Sequence, residues 1–286
     1  MLTGTLFVAL FIKICNPFDE LLGLYAMNPI SWYQAGVYII SLIATCLFIA
    51  IAGTDIIEKK VSDAHTYSLI GLGIISAVIY SVIALVVYSK ANGVPKLDWT
   101  FWSSCPVFYS IANAIIGFLF IEIMARLGQL IIGTRAFGEG DSYIAAGLGA
   151  LFGTLIGISP IYGGYFLPTL YTLISIFLFS IIIAGIIAIP IFIKNLIAEK
   201  DLVTLGAIAG FVIFAMGYFF AITAGWLENK WAYITSTVVL VAAGLFACRE
   251  LLLRLRHASA ENNLSYLPFG PALVIAGLFT LFFFPI

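Results

Sequence analysis

Apolar residues run along this chain in long unbroken blocks, not in the alternating or one-face patterns of a soluble protein. Eight blocks reach, or nearly reach, the roughly 20 residues a helix needs to cross a bilayer. They cover 33–54, 65–88, 106–132, 142–158, 167–194, 203–224, 232–253 and 269–286. Each predicts a helix, because only a helix satisfies its own backbone polar groups within lipid. A ninth block, 2–15, is apolar but short. It has neither a basic start nor a small-residue cleavage site, so it does not read as a signal peptide. A short span, a re-entrant piece and an interfacial helix all remain open for it. The longest polar break, 89–105, carries Trp99 and Trp102, which suit a membrane interface. No long linker or low-complexity tract interrupts the pattern. The expectation is one all-α polytopic membrane helix bundle over 1–286, with about eight spans.

Composition sharpens this picture. Only 9% of the 286 residues are charged and 63% are hydrophobic, against roughly 25% charged in soluble domains. The mean hydropathy is +1.13. So few charges exclude a soluble globule and a disordered chain. The net charge of -1 excludes a nucleic-acid binder, which needs a basic face.

Orientation follows from the excess of Lys and Arg on the cytoplasmic side. With the end of block 33–54 inside and the spans alternating, the inside collects Lys59, Lys60, Arg126, Arg135, Lys194, Lys200, Arg249, Arg254 and Arg256. The outside collects Lys90, Lys96 and Lys230. The bias predicts that the last helix runs outward and leaves the C-terminus outside. The cysteines, Cys15, Cys46, Cys105 and Cys248, form no CxxC pair and no Cys/His cluster of zinc spacing, so no metal site is expected. Cys15 and Cys105 both fall on the outer side, where a disulfide is conceivable but no spacing supports it.

In so apolar a chain each carboxylate near a span asks for a reason. Asp19, Glu20, Asp98, Glu199, Asp201, Glu228 and Glu261 read as solvated loop charges. Glu122 with Arg126, and Glu250 with Arg254, have the acid-before-base spacing of favourable helix pairs. Five remain at the cytoplasmic boundary: Asp55, Glu58, Asp63, Glu139 and Asp141. Asp55 ends a long apolar helix, where the helix dipole disfavours an anion. Asp141 ends Gly138-Glu139-Gly140-Asp141 and opens the next block, so it is placed as a helix N-cap. Gly138 and Gly140 remove side chains beside it and let another segment lie close. Behind it, Gly149, Gly153 and Gly157 share one helix face, a stripe for tight packing inside a bundle.

Two aspartates at one membrane face suggest aspartic peptidase chemistry. One carboxylate takes a proton from water while the other donates to the carbonyl oxygen of the scissile peptide. The dipoles favour Asp141 as the anion and Asp55 as the acid, and a pair so coupled titrates as a unit.

These residues resemble a known family. Phe137-Gly138-Glu139-Gly140-Asp141 and the Ala/Gly-rich run behind it look like the GxGD motif of type IV prepilin peptidases. Asp55 is followed by the β-branched Val61 at +6 and Asp63 at +8, similar to the family's setting of the first aspartate. Ser62, where bacterial members usually have Pro, resembles the archaeal branch. The segment 167–196 is similar to the helix after the motif in archaeal preflagellin peptidases. Tyr266-Leu267-Pro268-Phe269-Gly270-Pro271 resembles the family's C-terminal signature. The resemblance touches the chain from about residue 40 onward.

The resemblance implies that Asp55 and Asp141 are the catalytic pair, with Gly138 and Gly140 in support. It implies cleavage at the cytoplasmic face of the cell membrane, without a cofactor. The partners would be prepilin-like or preflagellin-like precursors with short basic leaders. Glu58, Asp63 and Glu139 would attract the leader's cations, although ordinary interfacial charges explain them equally well. The paired CxxC motifs of members that also N-methylate the new terminus are lacking, so methyl transfer is not expected. Blocks within 203–253 exceed what compact members need. Gly206 and Gly210 predict helix packing there, and nothing chemical.

Two rivals stand beside this reading. The presenilin and signal-peptide-peptidase group also uses GxGD and has a Pro-Ala-Leu motif, matched in letters by Pro271-Ala272-Leu273. Its first aspartate normally follows a Tyr in mid-membrane, whereas Thr54 precedes Asp55 at the interface. A transporter would instead carry its charges near the midplane, where this chain has almost none.

Overall fold

The computed structural model describes residues 5–10, 32–58, 61–92, 105–133, 137–157, 166–225, 229–260 and 269–283. Eight long helices dominate them. These are α1 Trp32–Glu58, α2 Asp63–Asn92, α3 Pro106–Ile132, α4 Glu139–Gly157, α5 Phe166–Ala198, α6 Leu202–Thr223, α7 Lys230–Ala260 and α8 Phe269–Phe283. Residues 5–10 are also helical; the rest of the short block 2–15, and Trp99 and Trp102, lie outside the described residues. No strand occurs among the described residues. The chain is an all-α, multi-pass membrane helix bundle.

Six of these helices, α1, α2, α3, α5, α6 and α7, are long and apolar enough to cross a membrane. Among the described residues, α4 and α8 fall outside that set of six. α4 has 19 residues and α8 has 15. Both are enclosed by neighbours along most of their length: every residue of α4 from Asp141 to Gly157 except Tyr143 is buried.

The residues divide into two compact units. The first holds 1–125, 137–184 and 268–286, and the second holds 126–136 and 185–267. In the first unit α2 and α8 pack on α4, while α1 packs on α2 and α8. The inner positions of α2 are Leu69, Gly73 and Ala77, whereas Ile75, Ile79 and Ile83 point outward and are at least half exposed. Large apolar groups gain nothing by leaving lipid, so contact is made where residues are small.

Glycines bring α3 and α4 together. A β-carbon on Gly149 would collide with the Asn113 carbonyl, and one on Gly153 would lie 2.6 Å from the Tyr109 carbonyl oxygen. The predicted stripe thus meets the backbone of α3. Hydroxyls bond α4 to α3 and to α2. Ser110 Oγ donates to the Ala150 carbonyl at 3.0 Å, and Thr154 Oγ1 to the Gly73 carbonyl at 2.8 Å. Asn113 Nδ2 donates to Thr169 Oγ1 on α5 at 2.8 Å. Phe120 of α3 stacks on Phe177 of α5 with ring centroids 4.8 Å apart. Cys105 is a free thiol that donates to Ser81 Oγ at 3.1 Å, while Cys15, its conceivable disulfide partner, lies outside the described residues.

In the second unit α6 and α7 pack on each other. Gly244 faces the Phe211 ring, and the Tyr218 and Thr237 hydroxyls lie 2.7 Å apart. Gly206 and Gly210 do not pack as expected: a β-carbon on either would meet nothing within 4 Å. Asp201 and Glu199, read as loop charges, have structural roles. Asp201 caps α6 through the Thr204 N–H at 3.1 Å, and Arg254 pairs with both acids. Arg254 therefore turns to these two and away from Glu250, which pairs with Arg249 at 3.0 Å.

Candidate active site

The site lies within the first unit, where one helix ends and two begin. α1 stays apolar until its last turn. Thr54 there returns its hydroxyl to the carbonyls of Ala50 and Ile51, both at 3.0 Å. This satisfies the hydroxyl without a partner outside the helix. Asp55 follows and is 3% exposed, yet the next residues, Ile56, Ile57 and Glu58, are exposed. Asp55 is thus the last inward-facing residue of α1. Among the described residues its carboxylate has no hydrogen-bond partner. An ionised carboxylate buried without compensation costs several kcal/mol. Groups kept in that condition gather at functional sites.

Asp141 is also 3% exposed. It was expected as the N-cap of its helix, but α4 begins two residues earlier, at Glu139. Asp141 Oδ2 reaches back to accept the Gly138 N–H at 3.0 Å, while its own N–H donates to the Gly138 carbonyl at 3.3 Å. This is the back-reaching half of a capping box, with Gly138 at the cap position. It fixes one carboxylate oxygen, Oδ2, on the backbone just before the helix. The helix N-terminus favours a negative charge at that place.

The first turn of α8 brings the two acids to one point. A β-carbon on Gly270 would lie 2.5 Å from Asp55 Oδ2 and 3.2 Å from Asp141 Oδ1. Those two oxygens are therefore separated by no more than the sum of these distances. That is the range over which one water or one peptide group can touch both carboxylates. Two further contacts draw in the adjoining segments. A β-carbon on Gly140 would lie 2.6 Å from Val61 Cβ, so the bare glycine admits the turn between α1 and α2. Phe137 and Phe269 meet with ring centroids 4.6 Å apart. Val61 had been noted for its spacing from Asp55; its seat against Gly140 gives that spacing a physical meaning.

Glu58 and Glu139 are exposed at the ends of the helices that carry the aspartates, and Asp63 is exposed at the start of α2. The structure brings them near the site in sequence, not into it. Glu122, first read only as a helix pair with Arg126, also receives the Ser142 hydroxyl at 3.4 Å, one residue after Asp141. Sequence reasoning missed the place of Gly270. The signal was its position in the Phe269-Gly270-Pro271 run, but no pattern says that the run meets a pair of acids. Among the described residues no three His, Cys, Asp or Glu side chains gather as a metal site requires. Comparison with protein-family models, with curated proteins and with solved structures gives no match.

Proposed function

We propose that the chain is a membrane aspartic endopeptidase that removes short basic leaders from type IV pilin-like or archaellin precursors. The observation that carries the proposal is the convergence of two buried carboxylates, Asp55 and Asp141, on Gly270. The motif resemblance to prepilin and preflagellin peptidases supports the substrate class. The basic excess at the ends of 33–54 and its inside partners supports a cytoplasmic site in the cell membrane.

In this mechanism Asp141 is the base, since the α4 N-terminus and the Gly138 N–H both favour its anion. It takes a proton from the attacking water. Asp55, at the unfavourable end of α1, supplies a proton to the carbonyl oxygen. The tetrahedral intermediate collapses as the C–N bond breaks. The proton held by Asp141 passes to the leaving amine, and Asp55 recovers its own. Glu58, Asp63 and Glu139, exposed around the entrance, attract the cations of the leader.

One observation favours a second reading, an intramembrane peptidase of the presenilin-like kind. Pro271, Ala272 and Leu273 follow Gly270 and are all buried. A single assay separates the two. Purified protein in detergent is given a precursor with a Lys/Arg leader, the same precursor with an uncharged leader, and an isolated hydrophobic span. The leader peptidase cuts the first fastest, the second at least about 10-fold more slowly, and the third not at all. Cleavage within the hydrophobic span, with indifference to leader charge, selects the second reading. No cleavage of any of them by folded protein contradicts both.

A further inference from the structure

The glycine between the two acids needs a reason of its own. Gly270 sits in the first turn of α8, and its φ is not in the left-handed region where only glycine is comfortable: Gly133 and Gly225 are the described glycines found there. The backbone therefore accepts any residue at this place. A helical glycine also costs up to about 1 kcal/mol relative to alanine. Nor is Gly270 a packing glycine like Gly149 or Gly153, which meet the backbone of α3. Among the described residues it is the one glycine whose two nearest neighbours are carboxylate oxygens.

We propose that Gly270 is a positioning residue of this site: its missing side chain lets the first turn of α8 close against both carboxylates and so holds Asp55 and Asp141 at one point. The close approach itself follows from geometry. Its consequence for turnover rests on the peptidase reading above. Carbon and other heavy atoms are at ease near 3.5–4.0 Å, so a methyl group 2.5 Å from Asp55 Oδ2 cannot share the site with the carboxylate as placed. Asp55 is 3% exposed and has little room to withdraw. On the far side Ile144 Cδ1 stands 3.2 Å from the same point. The place of the missing side chain is thus closed in by both acids and by Ile144, and any larger residue would push the carboxylates apart.

The test pairs a rate with a thermal cycle. Gly270→Ala should lower kcat/KM for a leader-bearing precursor by about 100-fold, the usual consequence of displacing reacting groups by about an ångström. Gly53→Ala is the control. It lies two residues before Asp55, but its β-carbon would meet nothing within 4 Å; its rate should stay within about two-fold of the native protein. Thermal unfolding is then measured for the native chain, Gly270→Ala, Asp55→Ala and the double variant. The added methyl should lower Tm by roughly 5 °C in the native background and by almost nothing when Asp55 is alanine. Should Gly270→Ala fail to accumulate as folded protein while the double variant does, the clash with Asp55 is equally demonstrated. Native rate and native Tm for Gly270→Ala overturn the proposal. So does the same loss in both backgrounds, including failure of both to fold. If the native chain cuts no precursor, the peptidase reading falls, and the thermal cycle still decides whether Gly270 faces Asp55.

Discussion

The same glycine spacing occurs in α4 and in α6, with opposite results. Gly149 and Gly153 are four residues apart, as are Gly206 and Gly210. The first pair lies on the backbone of α3, and α4 is buried without a break from Ile144 to its end. The second pair faces open space, and Thr204 is the buried residue of α6. A small-residue stripe is therefore a permission for close approach, not a cause of it. In lipid, apolar surface gains little by contact, so something else must draw helices together. Along α4 that is the pair of hydroxyl-to-carbonyl bonds from Ser110 to Ala150 and from Thr154 to Gly73. Along α6 the large side chains Val203, Ile213, Met216 and Phe219 are exposed, as lipid-facing residues are.

The comparison breaks most decisively by substitution at the glycines themselves. Gly153→Leu should destabilise the protein by about 3 kcal/mol or more, because α3 and α4 cannot separate without opening their hydrogen bonds. Gly206→Leu should cost nothing measurable. Thermal unfolding in detergent reads both, and equal losses would erase the distinction drawn between the two helices. A smaller effect is expected for Asn113→Ala, which removes the bond to Thr169 that joins α3 to α5. Interhelical hydrogen bonds in membrane proteins are worth about 0.6 to 1.7 kcal/mol, and the loss of Tm should match that range. Asp201→Ala should cost about 1 kcal/mol by uncapping α6, with a loss of helicity confined to the second unit. The smallest change is a gain. Gly210→Ala should stabilise by up to about 1 kcal/mol, since helix propensity rises and no neighbour is met. A loss there would show that α6 has a contact that the present arrangement lacks.

These contrasts also mark how far the sequence could be read. All eight helices stand where the apolar blocks placed them, because length and continuity of apolar residues carry the signal. The depth of each helix did not follow. α4 and α8 are as apolar in pattern as the others, but they are shorter and enclosed, a property of their neighbours and not of their own residues. Asp55 and Asp141 stood out because charge is rare here and both sit at span ends. The role of Asp141 shifted by half a turn, from cap to first-turn acceptor, since two glycines before it allow the helix to start early. The partners of Arg254 were missed because helix spacing points to Glu250, while Glu199 and Asp201 come from another part of the chain. Gly270 was beyond reach for the same reason. Its meaning lies in two residues more than a hundred positions away.

The central claim is that Asp55 and Asp141 act together to cut a peptide bond. The most direct measurement follows a leader-bearing precursor by mass spectrometry after incubation with native protein, Asp55→Asn and Asp141→Asn. All three would first be shown to have the same helicity and Tm. The account predicts one cut that separates leader from mature chain with the native protein. It predicts a loss of at least about 1,000-fold with either variant, because each acid is needed in every turnover. Persistent cleavage by either variant, or an unchanged precursor with the native protein, would contradict it.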